Sequence, residues 1–189
     1  ISLDEYLVKK VPIISNLYVK PPPGYIIVGE PMISPDKLEI AGPKKELALI
    51  NHVETIADTI SGIVLPYKGN ILIQSLGRLI EYSQNDIIIT LDVQEISERI
   101  IADISVEVIN IPSRIRVFPS PQTVSLTVVG GVNRIAELKP EEIKVIIDFN
   151  NWNHQIQFYE PQVIIPNDIL DWRDISPKNL EIAVAREIK

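Results

Sequence analysis

The fold is decided by Leu38-Glu39-Ile40-Ala41-Gly42-Pro43-Lys44-Lys45-Glu46-Leu47-Ala48-Leu49-Ile50, which has a counterpart 88 residues later in Leu126-Thr127-Val128-Val129-Gly130-Gly131-Val132-Asn133-Arg134-Ile135-Ala136-Glu137-Leu138. Each stretch predicts a short strand, a glycine corner and one or two turns of helix. Apolar residues alternate before the glycine and recur three apart after it. We expect the glycine to let the backbone leave the strand at low cost.

The two predicted helices are short and apolar on one side only. They cover residues 43–51 and 132–138. Each carries one apolar pair spaced three residues apart, so that both side chains share a face. We expect these four side chains to be buried against the sheet of their own unit: Leu47, Ile50, Ile135 and Leu138.

The repeat predicts two tandem small β-rich domains, each with one short helix, at residues 1–95 and 96–189. Val106 matches Leu17 at an offset of 89 residues, and small changes in offset along the chain are expected at loops. The polar segment 94–99 is predicted to be the joint between the domains. Residues 1–4 resemble residues 89–92 and are interpreted as the end of a strand from a preceding unit.

Alternation of apolar residues predicts the strands around this motif. We expect one strand from Val11 to Val19, an extended segment from Val53 to Asp58, and two short strands at 63–65 and 71–73 on either side of a turn at 66–70. A near-continuous apolar run at 87–93 predicts a central strand. With 15 prolines and 46% hydrophobic residues, the fold class is predicted to be mainly β.

Charge and composition exclude several classes of function. The net charge is −7, and the 18 lysine and arginine residues form no cluster, so that nucleic acid is not expected as a partner. Cysteine is absent, which excludes disulfides and thiolate sites. No run of 18 apolar residues is present, so no membrane-spanning segment is expected in this chain.

No constellation predicts catalysis, cofactor binding or a metal. His52 and Glu54 form an H-x-E pair, but the other histidine, His154, lies in the other unit, and zinc needs three or four ligands. Asp58 and Asp148 match between the units at an offset of 90 residues, which favours a structural acid in a recurring turn. Gly130-Gly131 lacks the long helix of a phosphate site.

Aromatic residues are enriched in the second unit. They are Trp152, Phe158, Tyr159 and Trp172. We expect them to fill the core, and an exposed patch that meets a partner is the alternative.

Several motifs of the first unit resemble the YbbR-like domain family. Val11-Pro12-Ile13 leads to Pro22-Pro23-Gly24-Tyr25, and then to Ile33-Ser34-Pro35-Asp36-Lys37-Leu38-Glu39-Ile40-Ala41-Gly42-Pro43, a short helix and Val53-Glu54-Thr55. The second unit resembles a more degenerate copy. The resemblance implies a fold similar to the C-terminal domain of the L25/TL5 ribosomal proteins.

The resemblance also implies a function. Family members often carry several copies after one N-terminal transmembrane helix, outside the cytoplasmic membrane, and the best-known members regulate a membrane-bound diadenylate cyclase. No catalytic, cofactor-binding or metal-binding residue is implied. We therefore expect a non-enzymatic, extracytoplasmic scaffold that acts through protein contacts. The alternatives are an adhesion or ligand-binding β-module of the cell envelope, and an enzyme whose site would be a buried cluster of acidic or histidine residues in a cleft.

Overall fold

The computed structural model of the protein describes residues 5–84 and 86–186. The chain folds into two units, residues 1–94 and 95–189. Strands dominate both units and the two α-helices have six residues each, which confirms the prediction of a mainly β fold. Residues 1–4, predicted to end a preceding strand, lie outside the described residues.

Within residues 5–84 and 86–94, the strands β1 to β10 and one short helix make up most of the first unit. In chain order they are β1 (Tyr6–Ile14), β2 (Leu17–Lys20), β3 (Tyr25–Ile27), β4 (Met32–Ser34), β5 (Lys37–Pro43), α1 (Lys44–Leu49), β6 (Val53–Glu54), β7 (Asp58–Ser61), β8 (Tyr67–Ile71), β9 (Glu81–Tyr82) and β10 (Ile87–Leu91).

The remaining elements follow from residue 93 onward. They are β11 (Val93–Ile109), β12 (Ile115–Ser120), β13 (Thr123–Gly131), α2 (Val132–Glu137), a 3-10 helix (Pro140–Glu142), β14 (Lys144–Asp148), a second 3-10 helix (Phe149–Asn151), β15 (Gln162–Ile164), β16 (Asp171–Ser176) and β17 (Glu181–Arg186).

The main sheets of the two units have the same strand order. The first runs β6-β1-β5-β9 and the second β14-β11-β13-β16, with β15 added beyond β14. In both, the first strand of the unit is antiparallel to the strand that carries the glycine and parallel to the strand that follows the helix. In each unit the helix therefore connects the two strands that flank the first strand, β5 and β6 in the first unit and β13 and β14 in the second.

Each unit has its own apolar core. In the first unit the core combines the inward residues of β1, β5 and β10 with Leu47 of α1. In the second it combines those of β11, β13 and β14 with Ile135 of α2 and Leu138. Three of the four predicted helix residues are buried, namely Leu47, Ile135 and Leu138, whereas Ile50 is only half-buried. Ile50 and Leu138 both follow their helices with an extended backbone.

The strand predicted at 63–65 is wrong, and the one predicted at 71–73 is confirmed only in part, since Ile71 ends β8 and Ile73 forms an isolated bridge with Thr55. The segment predicted to be a turn is instead β8, which pairs with β10 along its whole length. A glycine suits position 69 of this strand, because the ring of Tyr67 fills the space that a side chain there would occupy. Pairing with a central strand therefore overrides the local Gly-Asn turn signal.

The predicted strand from Val11 to Val19 is two strands, β1 and β2. The chain changes partner between them, from β6 to β7. Asn16 occupies this change and its backbone N–H donates to the Thr55 hydroxyl at 2.9 Å. A side chain thus accepts the hydrogen bond that a ladder partner would otherwise accept.

The segment 94–99, predicted to be a polar joint, is also a strand. It belongs to β11, and from Ile96 onward its residues pair with β13. Its polar residues are therefore part of a paired strand and do not form a loop.

The structural counterpart of Val106 is Ile13, four residues before the predicted match, Leu17. Val106 donates to the carbonyl of Gln122, as Ile13 donates to that of Asp36, both at 2.9 Å. The strands of the second unit are longer at this end, and β11 has a bulge between Ile101 and Ile104. A slip by an even number of residues keeps every side chain on the same face, so alternation alone does not detect it.

No helix among the described residues is long and apolar enough to cross a membrane.

Candidate functional site

A basic side chain on the first strand of each unit holds the end of the short helix. Lys9 Nζ donates to the carbonyl of Ile50 at 2.7 Å. Arg99, which lies 90 residues later, donates from one guanidinium nitrogen to the carbonyls of Ile135 and Ala136 at 2.7 and 2.8 Å. The last carbonyls of a helix have no partner within it. These two cations are therefore structural and are not free to bind a ligand.

Replacing Arg99 by methionine is expected to lower the free energy of unfolding by about 1–2 kcal/mol, because carbonyls at the helix end lose a charged donor. Lys9→Met should lower the free energy of unfolding by less, because Lys9 makes one short hydrogen bond, to the carbonyl of Ile50. Lys10→Met is the control, because Lys10 is exposed on the opposite face of β1. Urea denaturation measures all three. Equal values for the Arg99 and Lys10 variants would contradict the role of Arg99.

An asparagine–carboxylate pair also occurs once in each unit. Asn16 Nδ2 donates to Glu54 and Asn110 Nδ2 donates to Asp148, both at 2.9 Å. Each pair joins residues 38 apart, so the structural match of Asp148 is Glu54. The match to Asp58 was wrong, because Asp58 opens β7 beyond this pair. The Asn110 amide, with the backbone N–H of Asn150, holds the pKa of Asp148 below its usual value.

His52 is part of the same local network. Its Nε2 lies 3.2 Å from Oε1 of Glu54. Hydrogen bonds from Asn16 and His52 lower the pKa of Glu54. No group of three His, Cys, Asp or Glu side chains that could hold a metal ion occurs within residues 5–84 and 86–186.

Arg134 is the centre of a cluster of ion pairs. Arg134 of α2 donates to Asp168 at 2.6 Å and to Glu142 at 2.7 Å. These bonds raise the pKa of Arg134, and Arg134 together with the Lys139 backbone N–H lowers that of Glu142. The cluster therefore joins α2 to the two later segments that carry Glu142 and Asp168.

Most of the aromatic residues of the second unit contact its core. Tyr159 is buried, and Trp152 and Trp172 pack against the core from partly buried positions. Trp152 also stacks on Phe149, with ring centroids 5.4 Å apart. Phe158 is 53% exposed, so the expectation that all four aromatic residues fill the core was wrong for Phe158.

The outer face of the first sheet is apolar in the middle and polar at its rim. Val8 of β1 lies opposite Ala41 of β5, which lies opposite Glu81 of β9. Val8 is 62% exposed. Together with Glu39 and Ser83 these side chains line an open concavity of about 340 Å³. We call this surface the Val8 face. Tyr6, also exposed, lies two residues along β1 from Val8.

The carboxylate of Glu81 also affects Tyr6. Loss of hydration and a hydrogen bond to Glu81 raise the pKa of the Tyr6 phenol above its usual value. The phenol therefore stays protonated and donates to the carboxylate at neutral pH.

The second unit carries an ion pair where the first has the Val8 face. The register places Glu98 at the position of Val8 and Arg173 at that of Ser83. Glu98 and Arg173 form a salt bridge across β13. The paired charges stand where the first unit exposes Val8, so the two units differ in what they present at this position.

Further concavities lie within single units. One of about 190 Å³ lies between β7 and β8. Another, of about 490 Å³, runs beside β11 and is lined by Asp103, Glu107, Glu141 and Lys144, among others. Its apolar lining residues, such as Val145, are buried in the core.

Sequence reasoning singled out neither the Val8 face nor the cleft between β7 and β8. The signal for the Val8 face was present in the alternation of Tyr6, Val8 and Lys10. Its meaning depends on the neighbouring strand β9, which has only two residues and no apolar alternation.

Comparisons with known proteins place the first unit in a family. The family model for YbbR-like protein matches residues 11–91. A crystal structure of a YbbR-like protein from Streptococcus pneumoniae TIGR4 aligns over 98% of both chains, at 15% identity and a TM-score of 0.40. A search of curated proteins found no match. Residues 11–91 of the chain thus match the YbbR-like family model.

Proposed function

We propose that this chain is a non-catalytic scaffold that acts through protein contacts outside the cytoplasm. The YbbR-like domain at residues 11–91 supports the proposal, because the resemblance implies this role. The proposed partner is a membrane-bound diadenylate cyclase. In the same proposal, an N-terminal anchor that precedes residue 1 in the parent protein attaches the scaffold to the membrane.

The Val8 face is the observation that carries the proposal. Exposed apolar residues surrounded by polar ones are the usual composition of a contact surface. Val8 and Tyr6 supply the apolar centre, at 62% and 57% exposure, and Glu39 and Glu81 supply the rim. The same position in the second unit is covered by a salt bridge. The first unit is therefore proposed to make the main contact.

The test uses the full-length natural protein that contains this chain, produced together with the cyclase in membranes. We expect the cyclase to co-purify with the protein. Val8→Glu should reduce the amount retained at least about tenfold, because it places a charge at the centre of the contact. Glutamate at this position is compatible with the strand, since Glu98 occupies the matching position in the second unit.

Ile100→Glu is the matched control for this substitution. Ile100 is 70% exposed on the same face of the second unit, and its replacement should leave co-purification unchanged. Thermal unfolding of both variants checks that the fold is intact. Absence of co-purification with the unsubstituted protein would refute the proposed partner. Equal loss in both variants would refute the role of the Val8 face.

A further inference from the structure

The cleft of about 190 Å³ lies where two strands of the first unit separate. Before the cleft the segments are joined, since Thr55 forms a bridge with Ile73 and the Ile56 N–H donates to the Leu72 carbonyl at 2.8 Å. Beyond that point β7 pairs with β2, and β8 pairs with β10. Within the described residues neither strand pairs on its other side. Each strand therefore offers an open edge toward the cleft.

The cleft has an apolar floor and a polar mouth. Leu17, Ile60, Tyr67 and Ile71 form the floor, and Asp58 and Asn70 lie at the mouth. Ile56 and Leu72 border it at 48% and 65% exposure. An apolar site with a few polar groups at its opening is the usual form of a binding pocket.

Asp58 is the single charged residue among those that line the cleft. One of its oxygens accepts the backbone N–H of Thr59 at 2.7 Å, and no cation lies among the other lining residues. An exposed carboxylate beside an apolar floor complements a lysine or arginine side chain, whose stem is apolar and whose end is charged. The chemistry of the cleft thus favours a basic side chain.

The size of the cleft narrows the choice of occupant. Its volume is below the range of about 300–1,000 Å³ that is usual for sites of small molecules. It is large enough for side chains from a polypeptide. An extended segment can also form main-chain hydrogen bonds with an open strand edge, which is a recurring mode of peptide recognition.

We propose that this cleft binds an extended segment of a protein partner through an apolar residue on the floor and, two positions later, a lysine or arginine beside Asp58. Side chains two apart on a strand point the same way, so both reach the cleft. The inference rests on the proposed function, because it describes a segment that the partner of the scaffold would present.

The probe is the synthetic peptide acetyl-Thr-Val-Thr-Lys-Thr-amide, titrated into the isotope-labelled chain and followed by amide NMR shifts. We expect the shifts to be largest in β7 and β8 (residues 58–61 and 67–71). The same peptide with glutamate in place of lysine should bind more weakly, because it places a like charge beside Asp58.

Asp58→Asn is the decisive variant. Asparagine keeps an oxygen for the Thr59 N–H and removes the charge, so lysine-peptide affinity should fall about two- to fivefold, the range of one exposed ion pair. Glu39→Gln on the Val8 face is the matched control and should leave affinity unchanged.

Three outcomes would overturn the inference: no binding, shifts that lie outside the cleft, and equal weakening by the two variants. None of these outcomes involves the cyclase. Failure of the cleft is therefore distinguishable from failure of the proposed function, which co-purification tests separately.

Discussion

Replacing Leu138 by alanine is expected to lower the free energy of unfolding by about 3 kcal/mol, within the range of about 2–5 kcal/mol for buried leucines. Leu138 directly follows α2 and is 2% exposed. It belongs to the same core as Ile135 and Leu126. Truncation would leave a cavity between the helix and the sheet that the short helix cannot close without losing its other contacts.

The repeat supplies the matched comparisons for this prediction. Ile50 lies at the same position in the first unit but is half-buried, so Ile50→Ala should cost only about 1 kcal/mol, in proportion to the smaller apolar area removed from water. Leu49 is 80% exposed, and Leu49→Ala should change stability by less than about 0.5 kcal/mol. Equal effects at Leu138 and Leu49, measured by urea denaturation, would contradict the packing described for α2.

Gly42→Ala has the second largest expected effect. A Cβ at Gly42 would lie 2.9 Å from the Leu79 carbonyl oxygen and 2.7 Å from Cδ1 of Ile80. The Leu79 oxygen belongs to the backbone, so relief requires movement of the segment that leads into β9. Such overpacking costs about 1–3 kcal/mol. Gly42 has an ordinary negative φ, and the glycine is therefore required for close packing. The expectation that it gives the backbone unusual freedom was wrong.

Two further variants separate the causes of this effect. Gly130→Ala should cost less than Gly42→Ala, because its nearest neighbour is a side-chain methyl of Ile135 at 3.0 Å. Ile80→Val removes the Cδ1 atom, so Gly42→Ala should cost less in that background, as a double-mutant cycle would show. A cost below about 0.5 kcal/mol for Gly42→Ala alone would mean that the segment at Leu79 moves freely.

The features predicted from sequence were those with a local signal. The strand, glycine and helix around Gly42 and Gly130 were found because apolar spacing changes from two to three at the glycine. β9 was not predicted, because two residues carry no periodicity and their pairing with β5 is set by the tertiary fold. β8 was misassigned for the same reason, since β10 determines its conformation.

The candidate surfaces were not predictable from one sequence. Val8 and Glu98 occupy the same place in their sheets, yet sequence alignment alone does not reveal that Arg173 reaches across a strand to Glu98. The cleft at Asp58 depends on the separation of β7 from β8, and each of these strands pairs with a different partner. Only the three-dimensional pairing shows which strand edges stay open.

Amide hydrogen exchange on the complex of the full-length protein with the cyclase tests the central claim most directly. The account predicts that residues 6–10 and 81–83, on the Val8 face, become protected when the cyclase binds. Residues 98–100 and 171–173, on the matching face of the second unit, should exchange as they do in the free protein. Protection of the second set without the first would contradict the claim that the first unit makes the main contact.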